Sequence, residues 1–208
     1  MQSDDDDRIA PARIRLTTGL QEAQLADLVK LDEACAAQFY EVGFDAAEVP
    51  VRSPADFVAL SRHNLVHVAE ADHVVAGLLA WHDESPGVAF LVDVQVHPDY
   101  QRFGIATRLL DALREDARNI RLEQVVVRCW EKATWAMAFY RRQRFMPIDA
   151  TAPAKVQGWK DESLATGRPL VRPGEVALWS PIGLAPKIMT DDEMDMTLLT
   201  GEIPNPDD

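Results

Sequence analysis

One stretch of the sequence combines a strand, a glycine-containing loop and the start of a helix. It runs from Val94 to Leu110 and reads VQVHPDYQRFGIATRLL. The strand breaks at Pro98, the loop contains Gly104, and apolar residues at 105, 109, 110 and 113 then recur with helical spacing. The first turn of a helix has unpaired backbone N–H groups and the positive end of the helix dipole, which bind anions. The stretch therefore predicts a site for a phosphate or pyrophosphate group.

The residue types around Gly104 fit close contact with such an anion. Gly104 has no Cβ, so a bulky group can approach its backbone, and Ala106 keeps the entrance of the helix narrow. We expect the N–H groups from Arg102 to Thr107 to converge on phosphate oxygens, with the side chain of Arg102 or Arg108 adding positive charge. A single glycine at a helix start is also typical of an ordinary turn, but the preceding strand and the full spacing favour the anion site.

The chain before this stretch predicts a short strand and two helices. Arg13–Leu16 alternates like a strand, and Thr17 or Thr18 is expected to cap a helix whose apolar residues recur from Leu20 to Cys35. A second helix is predicted to begin at Ser53–Pro54, because serine caps helices and proline suits their first turn. The connection between the two helices contains several aromatic residues and is a candidate for the rim of a substrate site.

Four strands are predicted around the central helix. Leu65–Glu70 and Val74–Trp81 are β-rich runs separated by three residues, which is typical of a hairpin. Ala89–Val96 is mostly apolar and is expected in the middle of a sheet. Helix Ile105–Arg118 and strand Val125–Val127 follow, and such a strand–helix–strand connection is a right-handed crossover between parallel strands. Open sheets bind ligands at the carboxyl ends of such strands.

The remainder of the domain predicts a helix over Thr134–Arg142 and a strand over Phe145–Ile148. A segment rich in proline and glycine follows, with one helical turn near Trp159–Leu164. Val176–Ser180 is predicted to be the final strand.

Two motifs in this order of elements resemble those of the GCN5-related N-acetyltransferase (GNAT) superfamily. Residues 101–106, QRFGIA, match the family's Gln/Arg-x-x-Gly-x-Gly/Ala loop for the pyrophosphate of acyl-CoA, and Val96-His97-Pro98 resembles the approach to that loop. Ala136-x-x-Phe139-Tyr140, followed by Phe145, resembles the family's later helix and the strand after it. The resemblance covers residues 13–180.

The resemblance implies an α/β (α+β) fold. The expected structure is a single GNAT-like domain with a mixed, mostly antiparallel sheet, in which a central parallel strand pair diverges and is flanked by helices. The backbones of Val94 and Val96 are expected to face the pantetheine arm of the donor, and the thioester slot is expected between Asp93–Val96 and Val127–Trp130. The predicted cofactor-binding residues are Val94, Val96, Gln101, Arg102, Phe103, Gly104, Ile105, Ala106 and Thr107.

The sequence departs from the family's pattern at two positions. Many members have asparagine seven residues before the tyrosine and glycine directly before the later phenylalanine, where this chain has Ala133 and Arg144. Loss of the asparagine removes a polar contact near the CoA arm. Arg144 must either adopt a left-handed backbone or reshape the helix end, at a cost of about 1 kcal/mol.

Three residues are candidates for the chemistry that the resemblance implies. It assigns Tyr140 the role of general acid, which protonates or hydrogen-bonds the thiolate released when an amine attacks a thioester. The alternative is a packed aromatic residue whose hydroxyl has a structural partner. The amine must also lose a proton, and either Asp93 or Glu131 could accept it directly or through water. Either carboxylate could equally be an ion-pair partner or a surface acid.

Charge and cysteine content argue against several other classes of protein. The net charge is −13, but Asp4–Asp7 and seven acidic residues after Ile188 make up 11 of the 34 acidic residues and leave 23 against 21 basic ones. Acidic ends on a nearly neutral domain are typical of solvated tails, so nucleic-acid binding is not predicted. Cys35 and Cys129 have no CxxC spacing or histidine cluster, which predicts neither disulfides nor a metal site and favours a reducing cytoplasm. The longest apolar run, Val74–Trp81, is too short to span a membrane.

The sequence as a whole predicts an acidic N-terminal tail over residues 1–12, an acyl-CoA N-acyltransferase domain over 13–180 and a C-terminal extension over 181–208. We expect transfer of acetyl from acetyl-CoA to a primary amine by direct attack in a ternary complex, with no metal and no covalent enzyme intermediate. The alternative is a non-catalytic acyl-CoA-binding or protein-interaction module on the same fold. The final strand or the apolar residues of 181–200 offer a surface for a homodimer.

Overall fold

A seven-stranded sheet is the centre of the fold. The structure is a computed structural model that describes residues 10–165 and 171–183. The strands are β1 Ile14–Thr18, β2 Leu65–Ala71, β3 Val74–Ser85, β4 Val88–Val96, β5 Gln124–Trp130, β6 Met146–Pro147 and β7 Glu175–Pro181. Their order is β1-β2-β3-β4-β5-β7-β6, and only β4 and β5 are parallel. The predicted mixed, mostly antiparallel sheet with a central parallel pair is confirmed.

Helices cover both faces of this sheet. In the described ranges they are α1 Leu25–Glu41, α2 Pro54–His63, α3 Ile105–Asn119, α4 Thr134–Arg142 and α5 Ala154–Ala165. Leu78 of β3 packs with α1 and α2, whereas its neighbour Leu79 packs with α3. Because adjacent residues of a strand point to opposite faces, these helices form two layers around the sheet.

The parallel strands β4 and β5 separate part-way along their length. Val88–Leu91 pairs with Gln124–Val127, and the pairing stops there. Beyond this point β5 stays paired with β7 through Trp130, while β4 stays paired with β3 through Val96. One edge of β4 is therefore open over its last residues.

A β-bulge lies where the two strands separate. Asp93 of β4 is opposite Ala80 of β3, but the next residue of β3, Trp81, is opposite Leu91. Val92 is consequently an extra residue in β4, and such an insertion bends the strand. The bulge accounts for the change of direction that opens the edge.

The helix starts agree with the sequence in one case and not in another. Ser53 caps α2, because its hydroxyl accepts a hydrogen bond from the N–H of Asp56 at 3.3 Å. The expectation that Thr17 or Thr18 caps the next helix is wrong, since pairing with β2 extends β1 through Thr18. The chain instead enters α1 through a 3₁₀ turn at Glu22–Gln24, where the N–H of Gln21 donates to the side-chain oxygen of Gln24 at 3.1 Å.

The single helical turn predicted near Trp159–Leu164 is in fact the 12-residue helix α5. Its sequence has little amphipathic periodicity and contains Gly158, which explains why the pattern understated its length. Val156 and Trp159 attach it to the sheet by packing on Val88, Phe90 and Val126. The helix covers the part of the α1 side of the sheet that α1 and α2 leave free.

Both acidic ends of the chain lie outside the described residues. They include Asp4–Asp7 and everything from position 184 onward, so the tail assignments and the proposed dimer surface there stay predictions. Ile182, at the start of the predicted C-terminal extension, is buried in the main core.

Helix α4 ends with a left-handed residue. Arg144 has φ +60°, its N–H donates to the carbonyl of Arg141 at 2.9 Å, and the N–H of Phe145 donates to the carbonyl of Tyr140 at 2.9 Å. This is a Schellman motif, with the hydrophobic contact that accompanies it made by the rings of Tyr140 and Phe145, 5.1 Å apart. Of the two alternatives at this position, Arg144 adopts the left-handed backbone.

Replacing Arg144 by glycine is expected to stabilise the protein by about 0.5–1 kcal/mol, because glycine has no Cβ to clash in this conformation. Urea unfolding would show a higher midpoint with an unchanged slope. Arg142→Gly is the matched control, since Arg142 lies in the last turn of α4, where glycine should destabilise by about 1 kcal/mol. A loss of stability in both variants would contradict the prediction.

Candidate active site

The loop before α3 arranges backbone N–H groups around the start of the helix. After a 3₁₀ turn at Pro98–Tyr100, Arg102 and Gly104 adopt left-handed conformations with φ +68° and +77°. Five N–H groups form no hydrogen bond within the described residues: those of Arg102, Gly104, Ile105, Ala106 and Thr107. We call these five groups the anion cradle. Unpaired donors in a loop and first helical turn form a concave site for an anion.

The space beside Gly104 is open. A Cβ built on this residue would have no heavy atom within 4 Å, so a bulky group can reach the backbone. Arg102 and Arg108 are exposed near the same end of α3, and Arg108 lies 3.5 Å from the carbonyl of Ile14. Free donors, positive side chains and open space together fit the pyrophosphate group that the sequence predicts. Phe103, the other residue predicted here, is half-buried.

The side chain of Gln101 holds the end of β4 and does not point into the cradle. Its amide nitrogen donates to the carbonyl of Val96 at 3.1 Å and to the side-chain oxygen of Gln38 in α1 at 2.9 Å. Gln101 therefore connects the loop to β4 and to α1.

The open edge of β4 presents the backbone groups of Val94 and the N–H of Val96, whose carbonyl already accepts hydrogen bonds from the side chain of Gln101 and from the thiol of Cys35 at 3.5 Å. The N–H of His97 donates to the carbonyl of Ala76 in β3 at 2.9 Å. Backbone groups of successive strand residues point in alternate directions, so those of Val94 and Val96 point away from β3, towards the side from which β5 has diverged. An extended, amide-bearing ligand can pair with such an edge as an added strand would.

Tyr140 lies beside the gap between the two strands. The residue is only 6% exposed, and its ring contacts those of Phe139 and Phe145. Burial raises the pKa of Tyr140 well above its ordinary value, with smaller effects from Cys129 of β5 and Asp93 of β4. The phenol is therefore protonated at neutral pH and can donate a hydrogen bond. No described residue takes that bond, and the hydroxyl is not sealed from solvent.

Asp93 shares an arginine with a second carboxylate. Nη2 of Arg52 lies 2.5 Å from Oδ2 of Asp93 and 3.4 Å from Oδ1 of Asp32. The backbone N–H of Arg52 also donates to Asp32 at 2.6 Å, and the side chain of Gln95 donates to it at 2.7 Å. Two carboxylates thus face one guanidinium, and the cluster has a net negative charge.

The two predicted proton acceptors have different environments. Asp93 has 19% of its side chain exposed, and burial raises its pKa although Arg52 acts in the opposite direction. A raised pKa makes a carboxylate a better proton acceptor near neutral pH. Glu131 is exposed just beyond β5, where its backbone N–H donates to the carbonyl of Gly174 at 2.9 Å.

The sequence interpretation missed Asp32 and Arg52. Asp32 had a usable signal, because it falls on the helical face of Leu28 and Cys35, where an apolar residue is expected. Arg52 has no such signal, since it lies in a loop just before the cap of α2. Only the fold brings it to Asp93, 41 positions away.

Aromatic residues connect the loop after α1 with the end of β5. The ring of Phe44 contacts Phe39 at 5.5 Å and Trp130 at 5.1 Å, and Phe39 contacts Trp135 of α4 at 5.2 Å. The aromatic connection that was a candidate rim therefore lies next to the divergent end of β5.

Both cysteines are buried thiols. Burial raises the pKa of Cys35 and of Cys129 to about 12, so neither is ionised at neutral pH and neither is an activated nucleophile. Among residues 10–165 and 171–183, no group of three or more His, Cys, Asp or Glu side chains could hold a metal ion. The same part of the chain has no helix with the length and apolar character to cross a membrane.

Comparison with known proteins agrees with the motifs and the geometry. A sequence model of the acetyltransferase (GNAT) family matches residues 27–145. The chain belongs to this family. The matched residues include the cradle, Asp93 and Tyr140. A search of curated proteins found no sequence that matches this GNAT chain.

Solved structures share the GNAT fold. The PaiA N-acetyltransferase of Thermoplasma acidophilum, solved in complex with coenzyme A, has a TM-score of 0.61 at 12% identity, with 81% of this chain and 99% of that one covered. The ribosomal-protein-S18-alanine N-acetyltransferase of Escherichia coli has a TM-score of 0.56 at 15% identity, covering 86% and 99%. Ard1 of Thermoplasma volcanium has a TM-score of 0.57 at 13% identity, covering 81% and 97%. At these identities the similarity is one of fold.

Proposed function

We propose that this GNAT protein is an acyl-CoA-dependent N-acyltransferase, which transfers acetyl from acetyl-CoA to a primary amine by direct attack. The observation that carries the proposal is the open edge of β4, which has the anion cradle near its end and the Tyr140 hydroxyl beside it. Family membership supports the reaction class. The related fold solved with coenzyme A supports the donor.

Each part of a CoA thioester has a matching group on the protein. The cradle N–H groups suit the pyrophosphate. The backbone groups of Val94 and the N–H of Val96 suit the amides of the pantetheine arm. The thioester supplies the activated acyl group. Tyr140 and Asp93 flank the gap in which we place it.

The protein's task in the reaction is to move protons. Asp93 accepts a proton from the ammonium, directly or through water, which frees the nitrogen lone pair. The nitrogen then bonds to the acyl carbon and the carbon–sulfur bond breaks. The Tyr140 hydroxyl donates its proton to the departing thiolate. The nitrogen gives up a second proton as the amide forms, and this proton replaces the one lost by Tyr140. The proton first taken by Asp93 passes to solvent. Neither cysteine takes part.

A non-catalytic acyl-CoA-binding module is the second candidate. It is favoured by Ala133, which stands where many relatives have asparagine. Ala133 is buried at the start of α4 and provides no side-chain hydrogen bond to cap it. Such a module would bind acetyl-CoA without acetylating any amine.

Gly104→Val is expected to weaken CoA binding by on the order of 100-fold or more, because several hydrogen bonds to a charged group are lost. The new side chain would fill the open space, and a β-branched residue is strained at φ +77°. Isothermal titration calorimetry with CoA measures the effect. Gly158→Val in α5 is the control, since a Cβ there also has no heavy atom within 4 Å. Unchanged affinity in the Gly104 variant would refute the cradle.

Tyr140→Phe is expected to lower kcat by about 10²–10⁴-fold, the usual contribution of a positioned acid, with CoA affinity unchanged. Acetyl-CoA consumption with a broad panel of amines is the measurement. Ser61→Ala is the control, because it removes a hydroxyl that donates to the carbonyl of Val58 within α2. Full activity in the Tyr140 variant would exclude the acid role. A wild type that binds CoA but acetylates no amine would be the binding module.

Asp93→Asn is expected to reduce kcat/KM at neutral pH by on the order of 100-fold, whereas Glu131→Gln should change it little. Because the pKa of Asp93 is raised, activity should fall on acidification at a higher pH than an ordinary aspartate would give. Arg52→Gln removes the cation that lowers this pKa and should move the acidic limb of the pH–rate profile to still higher pH. A large loss with Glu131→Gln and none with Asp93→Asn would assign the base to Glu131.

A further inference from the structure

Helices α3 and α4 are joined by hydrogen bonds between polar side chains in the core. Arg114 of α3 is 2% exposed, and Gln143, directly after α4, is 6% exposed. The guanidinium of Arg114 donates to the backbone carbonyl of Gln143 at 2.8 Å and to its side-chain oxygen at 3.2 Å. The side-chain nitrogen of Gln143 donates in turn to the hydroxyl of Thr107 at 3.1 Å. We call these three residues the bridge.

One end of the bridge, Thr107, lies at the anion cradle, and the other end, Gln143, lies near Tyr140. Thr107 lies in the first turn of α3, and its N–H is part of the anion cradle. Gln143 follows Tyr140 by three residues and directly precedes the Schellman turn at Arg144. The bridge thus connects the anion cradle to the helix end that carries the phenol.

Stability alone does not account for a buried arginine here. Burying a guanidinium is costly, and a well-packed apolar residue is often as stable or more stable at such a position. Asp111 has a carboxylate 3.6 Å away that is half exposed, and Nε of Arg114 has no partner among the residues that the structure describes. The hydrogen bonds from Arg114 to Gln143 instead hold α3 and the end of α4 together. Arg114 also makes a long contact of 3.5 Å with the hydroxyl of Ser180 on β7.

The hydrogen bonds of the bridge all run in one direction. Arg114 can only donate, so the side-chain oxygen of Gln143 accepts and its nitrogen donates to Thr107. Thr107 therefore uses a lone pair in the bridge and keeps its own proton for another acceptor. Because Thr107 is half-buried beside the cradle, that acceptor can be a phosphate oxygen, and bonds in such a chain reinforce one another.

We propose that Arg114 and Gln143 are positioning residues that hold the anion cradle at a fixed distance from Tyr140. The inference rests on the proposed function, since it requires a donor whose pyrophosphate and thioester occupy these two places. Binding of the remote pyrophosphate then places the sulfur next to the phenol. Through the bridge, binding of the pyrophosphate in the cradle orients the thioester at Tyr140.

The test compares two donors, acetyl-CoA and S-acetylpantetheine, which lacks the pyrophosphate. Gln143→Leu and Arg114→Met should lower kcat with acetyl-CoA by about 10- to 100-fold, the effect of a small misplacement, and leave kcat/KM with S-acetylpantetheine unchanged. Arg114→Lys, which can still donate to the carbonyl of Gln143, should restore part of the rate. A merely structural role would lower the rate equally with both donors.

Gln24→Leu is the matched control. Gln24 is also a buried glutamine, 5% exposed, and its amide donates at 2.9 Å to Glu70 of β2, which belongs to neither α3 nor α4. This variant should lose stability but keep the wild-type ratio of rates with the two donors. Equal losses with both donors in the Gln143 variant, or no loss with either, would overturn the proposal.

Amide hydrogen exchange gives a second test that needs no turnover. Added CoA should slow exchange at the amides of Arg144 and Phe145 in the wild type and in Gln24→Leu, but not in Gln143→Leu. Protection that persists in Gln143→Leu would overturn the bridge. A wild type that acetylates no amine would overturn the proposed function instead, and the exchange experiment would still decide whether the bridge connects the two ends.

Discussion

The separation of β4 from β5 after Leu91 and Val127 is the constraint on which the rest of the site depends. Backbone N–H and C=O groups at a sheet edge need partners, and β4 loses those that β5 supplied. Two features keep the strands apart: the bulge at Val92 redirects β4, and β7 continues to hold β5. The result is a gap in the middle of the sheet, which is a better protected place for a ligand than an outer edge.

Burial changes the pKa values of the ionisable groups that border this gap. Tyr140 and Asp93 approach it from different elements, and burial raises the pKa of both by disfavouring their charged forms. Arg52 then limits the shift at Asp93, since its charge favours the carboxylate. A phenol that keeps its proton and a carboxylate with a raised pKa therefore both border the gap.

The sequence predicted the parts of the fold that depend on local pattern. The bounds of α3, α4 and β4 agree with expectation to within one residue, because apolar periodicity and the breaks at Pro98 and Gly104 are strong local signals. It could not predict Arg52, whose role depends on a long-range approach to Asp93, or the bulge at Val92, which has no side-chain signature. Helix α5 was underestimated because its packing, rather than its pattern, stabilises it. The left-handed Arg144 was foreseen as one of two outcomes, and the Schellman bonds show which one holds.

The gap also connects the two faces of the sheet. Asp93, Arg52 and Asp32 lie on the side of α1 and α2, whereas the cradle and Tyr140 belong to the side of α3 and α4. Under the proposed function, the two substrates therefore reach the reacting atoms by separate routes. An acceptor can then extend away from the α1 face without displacing CoA. Changes in the loop after α1 can then alter which amine is accepted while the donor side stays as it is.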